Sequence, residues 1–251
     1  MPNWVDNIIT FEGNEEDINN LLEFVKGVDC FDFNKIVPMP KSLNITEGSD
    51  KDKSILYYLA RIDRKEAAAI IESFKDKTRF LYNDIYNEFY KSTPEELLTK
   101  TSSFNIRISD NEKKLGIDDA FKLGAKYIDN FKKYGSTTWY DWCCRNWGTK
   151  WNACDPYVEH KEKGKAIAEF DTAWSAPVPI MCIIAKKYPD VKITLNYADE
   201  DIGYNCGNME FYQNEVVTRE FKSFDEAYKF ACNIWGYEDE EEEEEEEKDI
   251  N

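Results

Sequence analysis

Apolar and polar positions in the first forty residues follow two different periods. Val5, Ile8, Ile9 and Phe11 form a short apolar stretch ending at Gly13, which predicts a strand. Asn14, with Asp17 three residues on, gives a helix start, and Ile18, Leu21, Leu22 and Val25 follow at helical spacing until Gly27. Phe31, Phe33, Ile36 and Val37 predict a buried strand, closed by Pro38 and Pro40, which have no N–H to give a ladder. The opening therefore reads strand, helix, strand.

From Asn44 to about Lys133 the texture is helix after helix. Ser49 or Asp50 can cap a helix carrying Ile55, Leu59, Ile62, Ile70 and Phe74 on one stripe, and Leu81, Ile85 and Phe89 stand at i, i+4, i+8 in the next. Thr93-Pro94-Glu95-Glu96 is a capping box with proline at its first helical position. Ile117, Ala120, Phe121, Gly124, Ile128 and Phe131 continue into a helix ended by Gly135. Residues 44–133 read as a helical insertion into an α+β domain, with a free-standing second domain as the alternative.

Beyond Gly135 the pattern gives a Trp-rich helix from Thr138 to Trp147 stopped by Gly148, then strands at Lys150 to Cys154 and Ala166 to Phe170. Pro177 and Pro179 open a helix through Ile180, Ile183, Ile184 and Tyr188. Val191, Ile193, Leu195 and Tyr197 alternate strictly, and Met209 with Phe211 make their hairpin partner across Asp199 to Gly207. Phe221, Phe224, Ala227, Tyr228, Ala231 and Trp235 form a last amphipathic helix. This order predicts a discontinuous α+β two-layer sandwich over residues 1–43 and 134–237, with a disordered acidic tail over 238–251.

The formal charge is -18, of which the last fourteen residues, Glu238 to Asn251, carry -10, so the body is only moderately acidic. Such a balance argues against duplex nucleic acid as a partner, since phosphate backbones are held by clustered Lys and Arg. No run approaches the roughly 18 apolar residues of a membrane span, and Met1 to Gly13 does not read as a leader. With seven cysteines in no framework spacing, the expectation is a cytoplasmic protein with reduced thiols.

Several blocks are distinctive: Met1-Pro-Asn-Trp, Phe31-Asp-Phe-Asn-Lys-Ile-Val-Pro-Met-Pro, Asn146-Trp-Gly-Thr-Lys-Trp-Asn-Ala after Trp142, and Phe170-Asp-Thr-Ala-Trp-Ser-Ala-Pro with Pro179. Together they resemble the YubB-type ferredoxin-like domain family over roughly Pro2 to Leu43 and Tyr134 to Trp235. The resemblance implies a ferredoxin-like fold, encoded mostly by bacteriophages, plasmids and other mobile elements, and brings no settled activity. The helical insertion and the Glu tail depart from the short family pattern.

Four of the seven tryptophans lie between Trp139 and Trp151. Trp139, Trp142 and Cys143 share a helix face and read as packing, whereas Trp147 and Trp151 fall outside that stripe. With Lys150, Asn152, Asp155, Asp171, Thr172 and Trp174 they form the candidate ligand site, because indole faces beside polar groups can stack on a base, nucleotide or sugar. Polar residues around an aromatic run are also what a capped strand end looks like, so packing stays open as the alternative.

Cys143, Cys144, Cys154 and His160 raise zinc, but neither Cys-x-x-Cys nor His-x-His occurs, and no metal or cofactor is expected. A hydrolytic triad would have to use His160, which the sequence puts in a polar turn leading into a strand. Lys161, Lys163 and Lys165 alternate and could form a basic strand face. Asp155 and Asp171, or Asp199-Glu200-Asp201, could support carboxylate and divalent-metal chemistry. The expectation is a non-enzymatic mobile-element accessory protein acting by recognition, in counter-defence, on a host protein or a small nucleotide-like ligand. The alternatives are a divalent-metal carboxylate enzyme of nucleotide or nucleic-acid metabolism and a homo-oligomeric structural protein.

Overall fold

The computed structural model describes residues 2–75, 79–100, 107–108, 111–112 and 117–237. The expected acidic tail lies outside the described residues. In chain order the elements are β1 (Trp4–Glu12), α1 (Glu15–Val25), α2 (Phe33–Ile36), α3 (Ser49–Leu59), α4 (Arg64–Phe74), α5 (Arg79–Lys91), α6 (Pro94–Lys100), β2 (Arg107–Ile108), β3 (Asn111–Glu112), α7 (Ile117–Tyr134), α8 (Trp139–Asn146), β4 (Cys154–Glu162), β5 (Lys165–Ala173), α9 (Val178–Lys187), β6 (Lys192–Asp199), β7 (Cys206–Tyr212), β8 (Glu215–Thr218) and α10 (Phe224–Trp235). They fall into two compact units, one of Met1–Pro38 with Cys143–Asn251 and the other of Met39–Trp142.

The first unit is built on one antiparallel sheet in the order β4-β5-β1-β6-β7-β8. Two strand–helix–strand crossovers interlock in it: β1–α1 leads, through the second unit, to β4, and β5–α9 leads to β6. That is the ferredoxin-like arrangement. Strand β1 sits at its centre and alternates cleanly, Val5, Ile9 and Phe11 being fully buried with Asn7 while Asp6, Ile8 and Thr10 are half-buried on the other face. At the far end of β1, the Gly13 N–H donates to the Gly164 carbonyl at 2.9 Å, and a Cβ on Gly164 would meet the Gly13 carbonyl oxygen at 2.2 Å.

The expected second strand at Phe31 to Val37 is instead the single helical turn α2. Asp32 caps it by accepting the Asn34 N–H at 2.8 Å, and Phe33 and Ile36, three residues apart, are both buried. Phe31, Phe33, Phe170 and Trp147 form its aromatic core, with ring separations of 4.9 to 6.1 Å. The strand that completes the first crossover is β4, and the predicted strand at Lys150 to Cys154 is a bend followed by the first residue of β4. His160 lies within β4, opposite Ala166, not in a turn.

Helix α10 adds a partial third layer. Cys206 shares a sheet face with Ala198 and Asp6, and its Sγ lies 3.6 Å from the Ala227 carbonyl, so α10 crosses the face opposite α2 and α9. The predicted strand at Val191 to Tyr197, its hairpin partner and the helices around Ile18, Ile180 and Ala231 all form as expected. Strand β8, which follows a two-residue turn at Gln213 and Asn214, both with positive φ, was not foreseen.

In the second unit the stripe from Ile55 to Phe74 is two helices, because Asp63 caps α4 by accepting the N–H groups of Lys65 and Glu66 at 2.9 and 3.2 Å. Gly48, not Ser49 or Asp50, stands at the N-cap of α3. The Thr93 capping box forms as read, with Thr93 and Glu96 exchanging bonds of 2.7 and 3.2 Å. Ile55, Ile71, Phe74, Ile85, Phe89, Tyr127, Ile128 and Phe131 make its core. Gly124 on α7 lies against α3, where a Cβ would stand 2.2 Å from the Ser54 carbonyl oxygen and 2.7 Å from Tyr58 Cβ.

Candidate functional site

The chain leaves α8 at Asn146, and Gly148 turns it with a φ of +83°. That turn separates residues four apart. Trp147 points inward: it is 3% exposed, its Nε1–H donates to the Val37 carbonyl at 3.0 Å and its ring meets Phe33. It is a core residue, not a ligand platform. Thr149 then ties the loop to β5, exchanging hydrogen bonds of 2.9 and 3.1 Å with the Ala173 backbone.

Lys150, Trp151 and Trp174 lie together. The Lys150 ammonium lies 4.4 Å from the Trp151 ring centre and 4.7 Å from that of Trp174, so one cation bridges two indoles. Trp4, at the start of β1, extends the group with its ring 5.7 Å from Trp151. Trp174 is 42% exposed and adopts a φ of +73°, a left-handed conformation that costs a bulky residue about 1–3 kcal/mol. Its backbone is held from both sides: its N–H donates to the Asn3 carbonyl at 2.9 Å and its carbonyl accepts from Asn205 Nδ2 at 3.0 Å. The buried Asp199 carboxylate accepts from both of those asparagine side chains, at 3.1 and 2.9 Å, and from the Asp201 N–H at 2.9 Å. Asp199 is therefore the anchor of the bracket around Trp174.

Two further expected site residues belong to the framework. Asn152 Oδ1 accepts the Phe33 N–H at 2.8 Å while its Nδ2 donates to Asp32 Oδ1 at 2.8 Å, so it braces the start of α2. Thr172 is fully buried, accepts from Asn7 Nδ2 at 2.9 Å and donates to the Ser175 carbonyl at 2.9 Å. A polar residue between aromatics looks the same from sequence whether it faces solvent or closes a turn.

Asp171 stands two residues before Ala173, the partner of Trp4 across β1 and β5. Asp155 is exposed with a φ of +49°, at an irregularity in the β4–β5 register. Burial raises the Asp171 carboxyl above its ordinary range, and the charges of Asp155 and Glu200 add to the effect. Asp6, opposite Asp171 on β1, is pushed up to about 6 by burial, then by Asp171 and Glu169. Trp4, Asp6, Asn3 and Asn205 were not read as site residues; the Met1-Pro-Asn-Trp block was the signal that could have found the first.

The other candidate chemistries do not assemble. Among the described residues no three His, Cys, Asp or Glu side chains group as a metal site would require. Burial pushes the Cys143 thiol up to about 12, and the neighbouring Cys144 adds to the effect. Lys161, Lys163 and Lys165 straddle the Gly164 turn instead of sharing one strand, and pair with Glu159, Glu15 and Glu12 respectively. Among the described residues no helix is long and apolar enough to cross a membrane.

No curated protein shows significant sequence similarity to the chain. A crystal structure of protein api92 from Yersinia pseudotuberculosis is similar in structure at 10% identity and a TM-score of 0.43, covering 89% of this chain and 99% of that one. Residues 146–251, which include the loop of Trp147 to Asn152, Trp174 and the last five strands, match the family model described as the ferredoxin-like domain in Api92-like protein.

Proposed function

We propose that the protein is a binding module that acts by recognition and not by turnover, presenting Trp4, Trp151 and Trp174 around Lys150 to a partner protein. The observation that carries this reading is Trp174, exposed yet held in a left-handed conformation by hydrogen bonds to its N–H and from its carbonyl. An exposed indole on a backbone that is already fixed gives up less freedom on binding, which favours association. The surrounding acids select the partner. Asp171 feels the charges of Asp155 and Glu200, and Asp6 that of Asp171, so a nucleotide phosphate drawn to Lys150 would also meet this acidic group, whereas a basic side chain would meet complementary charge. Of the two ligands named from the sequence, the protein partner is therefore favoured.

The resemblance to YubB-type domains supports placing this module among accessory proteins of phages, plasmids and other mobile elements, acting on a host protein in the cytoplasm in counter-defence. Affinity capture from the host, performed with Trp174→Ala, Trp151→Ala and the wild type, tests the reading. A partner bound by the wild type should be lost from both variants while their melting curves stay near the wild-type one. Retention of that partner by both variants, or tight binding of a mononucleotide at the same indoles, would overturn it.

A further inference from the structure

The two edges of the sheet are built differently. The β4 edge is interrupted by register shifts between Cys154 and Tyr157 and between His160 and Glu162, contains Pro156, and carries Glu159 and Lys161, all devices that discourage strand addition. Strand β8, the opposite edge, has no proline and no register shift, and exposes Val216 by 50% and Val217 by 60%.

The hairpin fixes which backbone groups of β8 face outward. Tyr212 and Glu215 flank the two-residue turn and form its closing hydrogen-bonded pair, and pairing then alternates through Val217 opposite Glu210 to Arg219, whose N–H donates to the Asn208 carbonyl at 3.0 Å. The N–H and carbonyl groups of Val216 and Thr218 therefore point away from β7, toward the free edge. If a second β8 runs antiparallel with Val217 opposite its own copy, Val216 lies opposite Thr218 of the other chain and their outward groups exchange hydrogen bonds. The same register sets Glu215 against Arg219 of the other chain at both ends of the seam. Glu215 makes no ion pair among the described residues, and the Arg219 side chain, paired with Glu226, is still half exposed and has donors to spare. Centring the seam on Val216 or Thr218 instead would set Glu215 against Val217 or Phe221 and lose both ion pairs.

We propose that β8 is a self-complementary edge at which two copies of this chain join, with Val217 on the two-fold axis, extending the sheet from one subunit into the next. The inference is independent of the indole surface. The seam is short, so the dimer is weak and reversible, and the test reads register as well as mass. In the full-length chain under a glutathione redox buffer, Val217→Cys should form a disulfide-linked dimer, since residues directly opposite across such a pair have Cα atoms within bonding reach. Val216→Cys, one residue away and also exposed, should cross-link at least about fivefold less because its mate is Thr218. Light scattering at about 150 mM salt should show the wild-type mass rising with concentration, and Glu215→Arg should shift that rise to higher concentration by roughly fivefold or more. Equal cross-linking at the two positions, or a wild-type mass that stays monomeric at every concentration, would overturn the proposal.

Discussion

Asp6 on β1 and Asp171 on β5 stand directly opposite each other on one face of the sheet, and among the described residues neither forms an ion pair. Like charges placed this way oppose folding when both are ionised.

Burial of Asp6, and after it the charge of Asp171, makes stability depend on acidity. Because the folded-state value of Asp6 is about 6 against an ordinary 3.8, the native state holds its proton more tightly than the unfolded chain, and stability falls as pH rises through that window. Asp6→Asn should therefore stabilise the fold at pH 7 by roughly 1 kcal/mol after allowance for solvent screening, and so raise the thermal midpoint. The gain should shrink as the pH is lowered toward 4. Calorimetry of both proteins at pH 7 and pH 4 checks this, and an equal difference at the two values would show that charge is not the cause.

The two neighbouring tryptophans should separate cleanly. Trp147→Ala removes a ring buried against Phe33 and should cost about 3–5 kcal/mol. Trp174→Ala should cost less than about 1 kcal/mol, and Trp174→Gly should be more stable than Trp174→Ala because glycine relieves the left-handed backbone. Denaturant unfolding of the three variants gives the ranking directly.

Asn152→Ala should destabilise by about 1–3 kcal/mol, because the Phe33 N–H loses its acceptor and Asp32 loses a donor. Hydrogen exchange should then show faster opening at α2, with β6 and β7 much less affected.

In the helical unit, Gly124→Ala should cost about 1–3 kcal/mol, since the added methyl meets backbone that cannot step aside. Circular dichroism on heating should show an earlier loss of helix. An unchanged melt would mean that α3 and α7 can shift apart freely.

Most of the sheet was legible because its residues obey one period at a time. Ile193, Leu195 and Tyr197 alternate along β6 with polar residues between them, and α1, α9 and α10 keep their apolar stripes. Phe31 to Val37 misled because a single helical turn buries residues three apart, and over so short a span that pattern also fits a strand. The site was half legible: Lys150, Trp151 and Trp174 were named together, but the inward direction of Trp147 is decided by the Gly148 turn and the Val37 carbonyl, neither of which spacing reveals. Trp4 and Asp6 carry no local signal of a site, because their neighbours arrive from the far side of the chain.

That last fact reaches beyond the folded state to the order in which the protein is made. The central strand precedes both of its neighbours along the chain, yet Val5 must find Thr172 on one side and Asp199 on the other. At about 5–20 residues per second, β1 spends on the order of ten seconds or more as an apolar segment without its neighbours, while the helical unit is completed between them. The sheet cannot close by growing from one end; it must wait for its centre to be enclosed, so a nascent-chain holdase, or speed of translation through residues 165–199, should govern the yield of native protein more than the stability of any one contact.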